Sequence, residues 1–317
     1  MRIALATCSN LPDWEIDDHA FWKALEREGI DFDCVVWDKA LVNWANYDGV
    51  LVRTTWDYQE KIEQFQNWLT KVETQTKVLN PAAVMRWNTE KTYLRDLAEL
   101  GAPFLDTIWL RAGEHVDLGE VLQAKDWEAG FLKPVVGATA RETLRFTTHE
   151  AGLKLAQAHL ERLLPHESLM LQPYCRSVEA VGEYSALYFG GHFSHGVQKI
   201  PLPGDYRVQD DFGASDCPYI FSKSDRESIH QVWLAFERFW GGKVHVTDLA
   251  YGRVDLLRTS EGRLVLNELE LIEPSLFFRH DPDSPKRLAR VIGSSFRGAH
   301  VSAAGRGLSE SGRLAGI

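Results

Sequence analysis

The chain has 317 residues, 44% of them hydrophobic and 25% charged, the make-up of an ordinary globular protein with length for two or three compact units. Its net charge of -10 argues against a nucleic-acid backbone as the main partner but leaves room for a local basic pocket that takes a nucleotide. No apolar run approaches the roughly 18 residues of a membrane span, and Met1 to Cys8 lacks the apolar core of a signal peptide, so a cytoplasmic protein without a membrane partner is expected.

From Met1 to about Pro81 strand and helix alternate, with strands at Ile3 to Thr7, Phe32 to Trp37, Gly49 to Arg53 and Val78-Leu79, and helices at Asp17 to Glu28 and Gln59 to Val72. That alternation predicts a small parallel sheet with helices on its faces. The turn after the first strand, Cys8-Ser-Asn-Leu-Pro12, has no G-x-G-x-x-G, so NAD is not expected there. Arg53, Trp56, Asp57 and Tyr58 follow the third strand at the carboxyl edge, where open sheets collect ligands, and are candidates for part of a second-substrate site. The alternative is a strand-to-helix turn that packs Trp56 and Tyr58 into a domain contact. Cys8, Cys34, Cys175 and Cys217 are scattered and form no C-x-x-C, which fits reduced thiols rather than a zinc site.

Past Asn80-Pro81, a helix opening at Asn88 or Thr89 and stopping at Gly101 places Lys91 in its first turn. A cation is disfavoured beside free helix amides unless an anion binds with it. A strand at Thr107 to Leu110 and a helix near Val116 to Trp127 lead to Gly130-Phe-Leu-Lys133-Pro-Val-Val-Gly137, an apolar strand that delivers Lys133 to a small-residue turn whose amides can approach phosphate. It is not a G-x-x-x-x-G-K-[ST] loop. Then come a helix at Glu150 to Leu163, a strand at Ser168 to Tyr174, a hairpin over Gly182 to Lys199, a long irregular loop from Ile200 to Cys217 of the functional or mobile kind, and a helix at Ser222 to Trp240. A last helix near Ser284 to Phe296 precedes a tail with little to bury.

Between those two helices lies the stretch richest in chemistry. Arg253 to Arg258 and Arg263 to Glu270 read as two antiparallel strands joined through Ser260-Glu261-Gly262. If Arg258 pairs with Arg263, then Arg253 faces Glu268 and Asp255 faces Leu266, so Asp255, Glu268 and Glu270 project from one side. Three carboxylates on one face repel one another unless a cation fills the gap, and oxygen ligands suit Mg2+ before Zn2+. The other reading of the pattern is a solvated polar face of an edge hairpin. A slip of one residue in register would abolish the convergence.

Lys91, Lys133-Pro-x-x-Gly137, Gln172-Pro173-Tyr174, Gly182-Glu183, Lys199, Arg207, Arg253-x-Asp255 and Glu268-x-Glu270 occur in the order found in the ATP-grasp superfamily, which the chain resembles over residues 86 to 280. His195 to Lys199, Gly204 to Arg207 and Glu268 to Leu276 are similar to its glutathione-synthetase-like branch. The resemblance implies a mixed α/β (α+β) fold: a Rossmann-like unit at 1-85, then α+β subdomains at 86-170 and 171-300 that grip ATP, and a flexible tail at 301-317. It also implies roles. Lys91 and Lys133 neutralise ATP phosphates, the Gln172 to Tyr174 hinge reads adenine, and Glu183, or in its place Glu179, holds the ribose. Lys199 and Arg207 contact the transferring group, and Asp255, Glu268 and Glu270 hold two Mg2+ ions. Where the family often ends this motif Glu-x-Asn, this chain has Glu-x-Glu.

The implied activity is an ATP-dependent carboxylate-amine ligase for small molecules, amino acids among them, that works through an acyl phosphate and releases ADP and phosphate, between two molecules or as a ring closure. Arg253 and Glu273 are further candidates for the catalytic and substrate side. The competing readings are a phosphotransferase that stops after phosphoryl transfer and a non-catalytic nucleotide-binding regulator. Exposed helices of the N-terminal unit offer a surface for a homodimer.

Overall fold

The computed structural model describes residues 1–11, 13–137 and 139–304. The N-terminal part contains strand β1 (Arg2–Thr7), helix α1 (His19–Arg27), β2 (Asp31–Val36), β3 (Gly49–Thr54), α2 (Ile62–Glu73) and β4 (Lys77–Leu79). Its sheet is parallel throughout, in the order β2-β1-β3-β4, as the alternation of strand and helix requires. All six residues of β3 are buried, because helices cover both faces. Trp37, Trp44, Phe65 and Trp68 fill one face in edge-to-ring contacts, and Phe21, Leu25 and Phe278 fill the other.

Helices α3 (Ala82–Asn88) and α4 (Tyr93–Glu99) come next, followed by β5 (Ile108–Leu110), α5 (Leu118–Gln123), β6 (Ala129–Pro134), β7 (Leu144–Thr147), α6 (Glu150–Leu163) and β8 (Leu169–Pro173). The four strands form an antiparallel sheet in the order β5-β8-β6-β7, with α5 and α6 packed on one face. The expected subdomain boundary at 170 falls inside β8, which pairs with strands on both sides. Instead of one helix from Asn88, two short helices flank Lys91. Its amide bonds to Val135 O at 2.8 Å, so Lys91 belongs to the break between the helices and not to a first turn.

The third sheet is built from β9 (Glu183–Phe189), β10 (His192–Ile200), β11 (Ser215–Pro218), β12 (Tyr251–Arg258) and β13 (Leu264–Glu270), in the order β11-β10-β9-β12-β13. The short helix α7 (Ser177–Val181) leads into it, α8 (Lys223–Trp240) packs on one face, and α9 (Ser284–Ala304) crosses to α1 and β1. The loop expected from Ile200 to Cys217 therefore ends in an edge strand. Residues 301–304 of the expected tail continue α9, and the rest of that tail lies outside the described residues.

The register of the acidic hairpin differs from expectation. Arg258 pairs with Leu264, one step from the assumed Arg263, and a bulge between Asp255 and Leu256 adds a second step. Beyond the bulge Asp255 faces Glu268 and Arg253 faces Glu270. A one-residue slip inverts the faces and a second restores them, so the carboxylates still share a side. Side chains cap the outer edge of β13. Leu269 N donates to Tyr93 Oη at 3.0 Å, Asn88 Nδ2 donates to Leu269 O at 2.7 Å, and Leu271 N donates to Asn88 Oδ1 at 2.9 Å. Asn88 thus substitutes for a neighbouring strand and satisfies an edge that would otherwise be buried unpaired.

Candidate active site

A cavity of about 460 Å³ opens between the second and third sheets and extends to the carboxyl ends of β1 and β3. One end has apolar walls, Leu105, Phe131, Val178 and Leu257, beside Gln172, Pro173, Tyr174 and Cys175. The middle is charged, and the far end is lined by Asn10, Trp56, Asp57, Glu273, Ser275 and Phe277.

The charged middle gathers cations and carboxylates from separate elements. Lys91, from the α3–α4 break, and Lys133, from β6, each bring Nζ to 3.7 Å from Glu268 Oε1. Lys91 also donates to Gly137 O in the small-residue loop. Lys199 pairs with Glu183 and lies 3.4 Å from Asp255. Arg253 donates to Asp255 at 2.9 Å and to Glu270 at 2.5 Å, and Ser185 donates to Asp255 at 2.6 Å. Burial alone would raise the Asp255 carboxyl, but Arg253 and Lys199 hold it down to about 2. Burial pushes Glu270 up to about 7 against the pull of Arg253, with Asp255 and Glu268 adding to the rise. Lys133 is lowered, first by burial, whereas the carboxylates of Asp255 and Glu183 raise Lys199 against its own burial. Three non-glycine residues of the loop after β6, Thr139, Ala140 and Glu142, have φ of 51 to 53°, so the backbone is strained where it borders the cavity.

Of the other expected site residues, Arg207 lines the cavity from the long loop, bound to Asp205 at 2.7 Å with its guanidinium 3.9 Å over the Phe212 ring. Tyr206 beside it reaches Thr143 at 3.0 Å and meets Phe131 edge-on, so the loop rests on the second sheet. Gln172 is buried and donates to Thr107 at 2.9 Å. The Tyr174 N–H is donated to Ala129 O, which removes that hinge group from base reading while β6 and β8 stay paired. Glu179 sits on α7, bound to Tyr174 Oη and Arg145, and does not line the cavity.

Arg53 and Tyr58 also do not line it. Arg53 is buried in a two-point ion pair with Asp18, and Tyr58 packs on Phe65 at 4.8 Å. Asp57 lines the cavity, but its oxygens serve Trp37 Nε1 at 2.8 Å and Lys61 at 2.7 Å.

Arg53, and Trp56 besides lining the cavity, hold the backbone of another segment. Five consecutive carbonyls after β13 each meet a side-chain donor from elsewhere. The single Tyr251 hydroxyl proton is shared between Val52 O and Ile272 O, the latter at 2.6 Å, while Trp56 Nε1 donates to Glu273 O at 3.1 Å and Arg53 to Pro274 O at 3.2 Å. Arg253 donates to Ser275 O at 3.0 Å and His195 Nε2 to Leu276 O at 3.1 Å. An irregular segment is thereby held as firmly as a strand, and Glu273, Ser275 and Phe277 face the cavity from it. Burial, aided by the Glu270 carboxylate, pushes Glu273 up to about 8.

Residues 3–80 match the family model of the D-cycloserine synthetase DcsG N-terminal domain. The chain is 28% identical over 278 residues to the cycloserine biosynthesis protein DcsG of Streptomyces lavendulae, covering 85% of this chain and 90% of that protein. The crystal structure of D-cycloserine synthetase DcsG superposes with a TM-score of 0.83 and 26% identity, over 93% of this chain and 99% of that one. A D-alanine–D-alanine ligase from Bacillus anthracis complexed with ATP superposes with a TM-score of 0.67 at 14% identity over 95% and 99%. The ATP-grasp ligase PsnB, complexed with minimal precursor, Mg and ADP, gives 0.60 at 13% over 93% and 97%. The chain has the fold of the ATP-grasp ligases and is a homologue of DcsG.

The metal question turns on donor chemistry. Among the described residues no three His, Cys, Asp or Glu stand at metal-cage spacing. Asp255 is engaged by Arg253, Lys199 and Ser185, while Glu268 and Glu270 keep 27% and 29% of their side chains exposed toward the cavity. Mg2+ rarely takes an all-protein cage and prefers one or two carboxylates together with substrate phosphates, so the donor set fits an ion that arrives with a nucleotide. Among the residues that escape a reading of the sequence are Ser185, an ordinary strand residue that donates to Asp255, and Asn267, whose signal is that Asn is unusual inside a strand; Asn10, Ser275 and Phe277 at the far end carry none.

Proposed function

We propose that the ligase activates a small-molecule carboxylate with ATP and joins it to an amine or related nucleophile, with ADP and phosphate released. The observation that carries this reading is the meeting of Lys91, Lys133 and Lys199 with Asp255, Glu268 and Glu270 in one cavity, between an apolar end and a polar end held against the N-terminal sheet. The working division of the chain is a Rossmann-like unit at 1-85, subdomains meeting near β8, and a C-terminal unit to about 300.

In this reading the apolar end beside Gln172 to Cys175 takes adenine, and Glu183, which lines the cavity where Glu179 does not, serves the ribose. Lys91 and Lys133 leave Glu268 to meet phosphate oxygens. Glu268 and Glu270, with Asp255 behind them, hold Mg2+, two ions in the fullest form; the ion supplies charge neutralisation on the phosphates. A substrate carboxylate oxygen attacks the γ-phosphorus as the bond to the ADP oxygen breaks, which gives an acyl phosphate. The nucleophile then attacks the acyl carbon, loses a proton and expels phosphate. Lys199, Arg207 and Arg253 offset charge on the transferring group, which is the main service a protein renders to phosphoryl transfer. Trp56, Asp57 and Glu273 border the acceptor, and the loop at Ile200 to Cys217 keeps water from the acyl phosphate. Cycloserine-type ring closure fits the likeness to DcsG, and a cytoplasmic location fits a biosynthetic ligase.

The test is a screen of amino acids and small acids, singly and in pairs, for ATP-dependent ADP release, followed by mass analysis. A new C–N bond with phosphate release is expected. A stable phosphorylated product would replace this reading with a phosphotransferase, and ATP binding without turnover across the panel would replace it with a regulator.

A further inference from the structure

The bulge in the acidic hairpin leaves one residue of β13 without a partner on β12. Leu266 faces Leu256 and Glu268 faces Asp255, so Asn267 is the extra residue. Asn267 and Glu268, though adjacent in sequence, both reach Lys133, with Asn267 Oδ1 accepting from Nζ at 3.2 Å and Glu268 Oε1 standing 3.7 Å away. A regular strand would send them to opposite faces. The other end of the same carboxamide donates, Nδ2 to Glu183 Oε2 at 2.5 Å.

Lys133 belongs to β6 of the second sheet and Glu183 to β9 of the third, so the amide spans the cleft between the sheets. It also joins two charged groups: Lys91, Lys133 and Glu268 on one side, and Glu183, Lys199, Asp255, Arg253 and Glu270 on the other. Only a side chain with a donor and an acceptor at opposite corners can serve an ammonium and a carboxylate together. Asp would repel Glu183, and an apolar residue would take one hydrogen bond from each of two groups whose side chains are only 5% and 7% exposed, leaving Lys133 to Glu268 and Glu183 to Lys199.

We propose that Asn267 is a positioning residue of the nucleotide site: its carboxamide stands between Lys133 and Glu183, keeps the two from closing into a direct ion pair, and so leaves the lysine ammonium for the nucleotide's phosphates. The inference rests on the nucleotide reading of the cavity and adds to it a residue that acts through Lys133.

The experiment is calorimetric titration of the full chain with Mg2+ and the non-hydrolysable ATP analogue AMP-PNP, for wild type, Asn267→Ala, Asn267→Asp, Lys133→Ala and the Asn267→Ala/Lys133→Ala pair, with a thermal melt of each. Asn267→Ala is expected to raise Kd about tenfold, and Asn267→Asp at least as much. In the double variant the loss should equal that of Lys133→Ala alone, because a residue acting through Lys133 has nothing left to position. A Kd for Asn267→Ala within about twofold of wild type overturns the proposal, as does a further tenfold loss on top of Lys133→Ala, the mark of an independent structural effect. If the alanine variant does not fold, Asn267→Ser takes its place, since serine leaves the bulge polar but cannot span both partners; the same rise in Kd is expected, and the same lack of change overturns the proposal. Wild type that fails to bind Mg2+ and AMP-PNP would sink the nucleotide reading itself, a result distinct from normal binding in wild type and Asn267→Ala alike.

Discussion

Asp255 and Glu268 stand directly opposite each other across β12 and β13, one step beyond the bulge at Asn267. Their surroundings differ. Asp255 is buried and held by Arg253, Lys199 and Ser185, whereas Glu268 meets the ammonium groups of Lys91 and Lys133 and keeps a side open to the cavity. Glu268→Gln preserves shape and removes the charge that the two lysines share and that the proposed function gives to a metal ion. Turnover measured as ADP release should fall by about 100-fold or more, with a melting temperature close to wild type. Near-normal turnover would remove Glu268 from the metal set.

Trp56→Phe keeps the ring and deletes the indole N–H that holds Glu273 O. Loss of one hydrogen bond of about 1 kcal/mol should let amides in the segment from Leu271 to Arg279 exchange roughly five- to tenfold faster, read by hydrogen–deuterium exchange. Affinity for Mg2+ and AMP-PNP should not change, since Trp56 lies at the other end of the cavity. Unaltered exchange in that segment would mean the remaining four donors suffice.

His195 is held neutral. Its Nε2 donates to Leu276 O at 3.1 Å, its Nδ1 accepts from Ser194 at 2.9 Å, and burial lowers it to about 4. Between about pH 6.5 and pH 4 the unfolded chain binds a proton there and the folded chain does not, so stability is present above the unfolded value and is lost as pH falls, by up to about 1.4 kcal/mol per unit. Urea titrations from pH 7 to pH 4.5 should show this slope in wild type and a shallower one in His195→Asn. Equal slopes would assign the acid sensitivity to other groups.

Gly182 precedes Glu183 at φ 72°, and a Cβ there would lie 1.8 Å from Lys199 O. Gly182→Ala must move the strand that carries Lys199, so it should cost about 2 kcal/mol or more and reduce turnover. Gly262 has a similar φ of 79° in the hairpin turn with nothing within 4 Å. Gly262→Ala should cost about 1 kcal/mol and leave turnover unchanged. Equal losses in the two variants would show that backbone strain, and not the approach to Lys199, decides the effect.

Asn80 supports the join between the N-terminal sheet and β12. It sits at φ 64°, takes Ala250 N at 2.7 Å, and donates to Tyr251 O at 2.9 Å and Leu271 O at 2.8 Å. Asn80→Gly keeps that backbone and leaves three buried groups unmet, for a loss of about 2–4 kcal/mol in denaturant unfolding. A loss below about 1 kcal/mol would mean that water replaces the amide.

Local order was legible in the sequence where local physics decides it. The helix Glu150–Leu163 follows from spacing, and α8 begins at a capping box of Ser222 and Asp225. Periodicity carried the reading too far at Lys91, because 3.6-residue spacing runs on through Asn88 to Tyr93 while the amide of Lys91 is drawn to Val135 O, more than forty residues away. Arg53 and Trp56 show the same limit. Their residue types announced a site, but Asp18, Pro274 O and Glu273 O, the groups that claim them, are not neighbours in sequence.

By itself the sequence supplied the candidate cations and carboxylates and their order, because charge type and order along the chain need no coordinates. The tertiary structure alone decided their arrangement. The bulge moved β13 by a residue and turned Asn267 inward, and five side chains from distant elements shaped the wall after Glu270. Register and backbone satisfaction depend on partners brought together only by folding, so no local pattern in the chain encodes them.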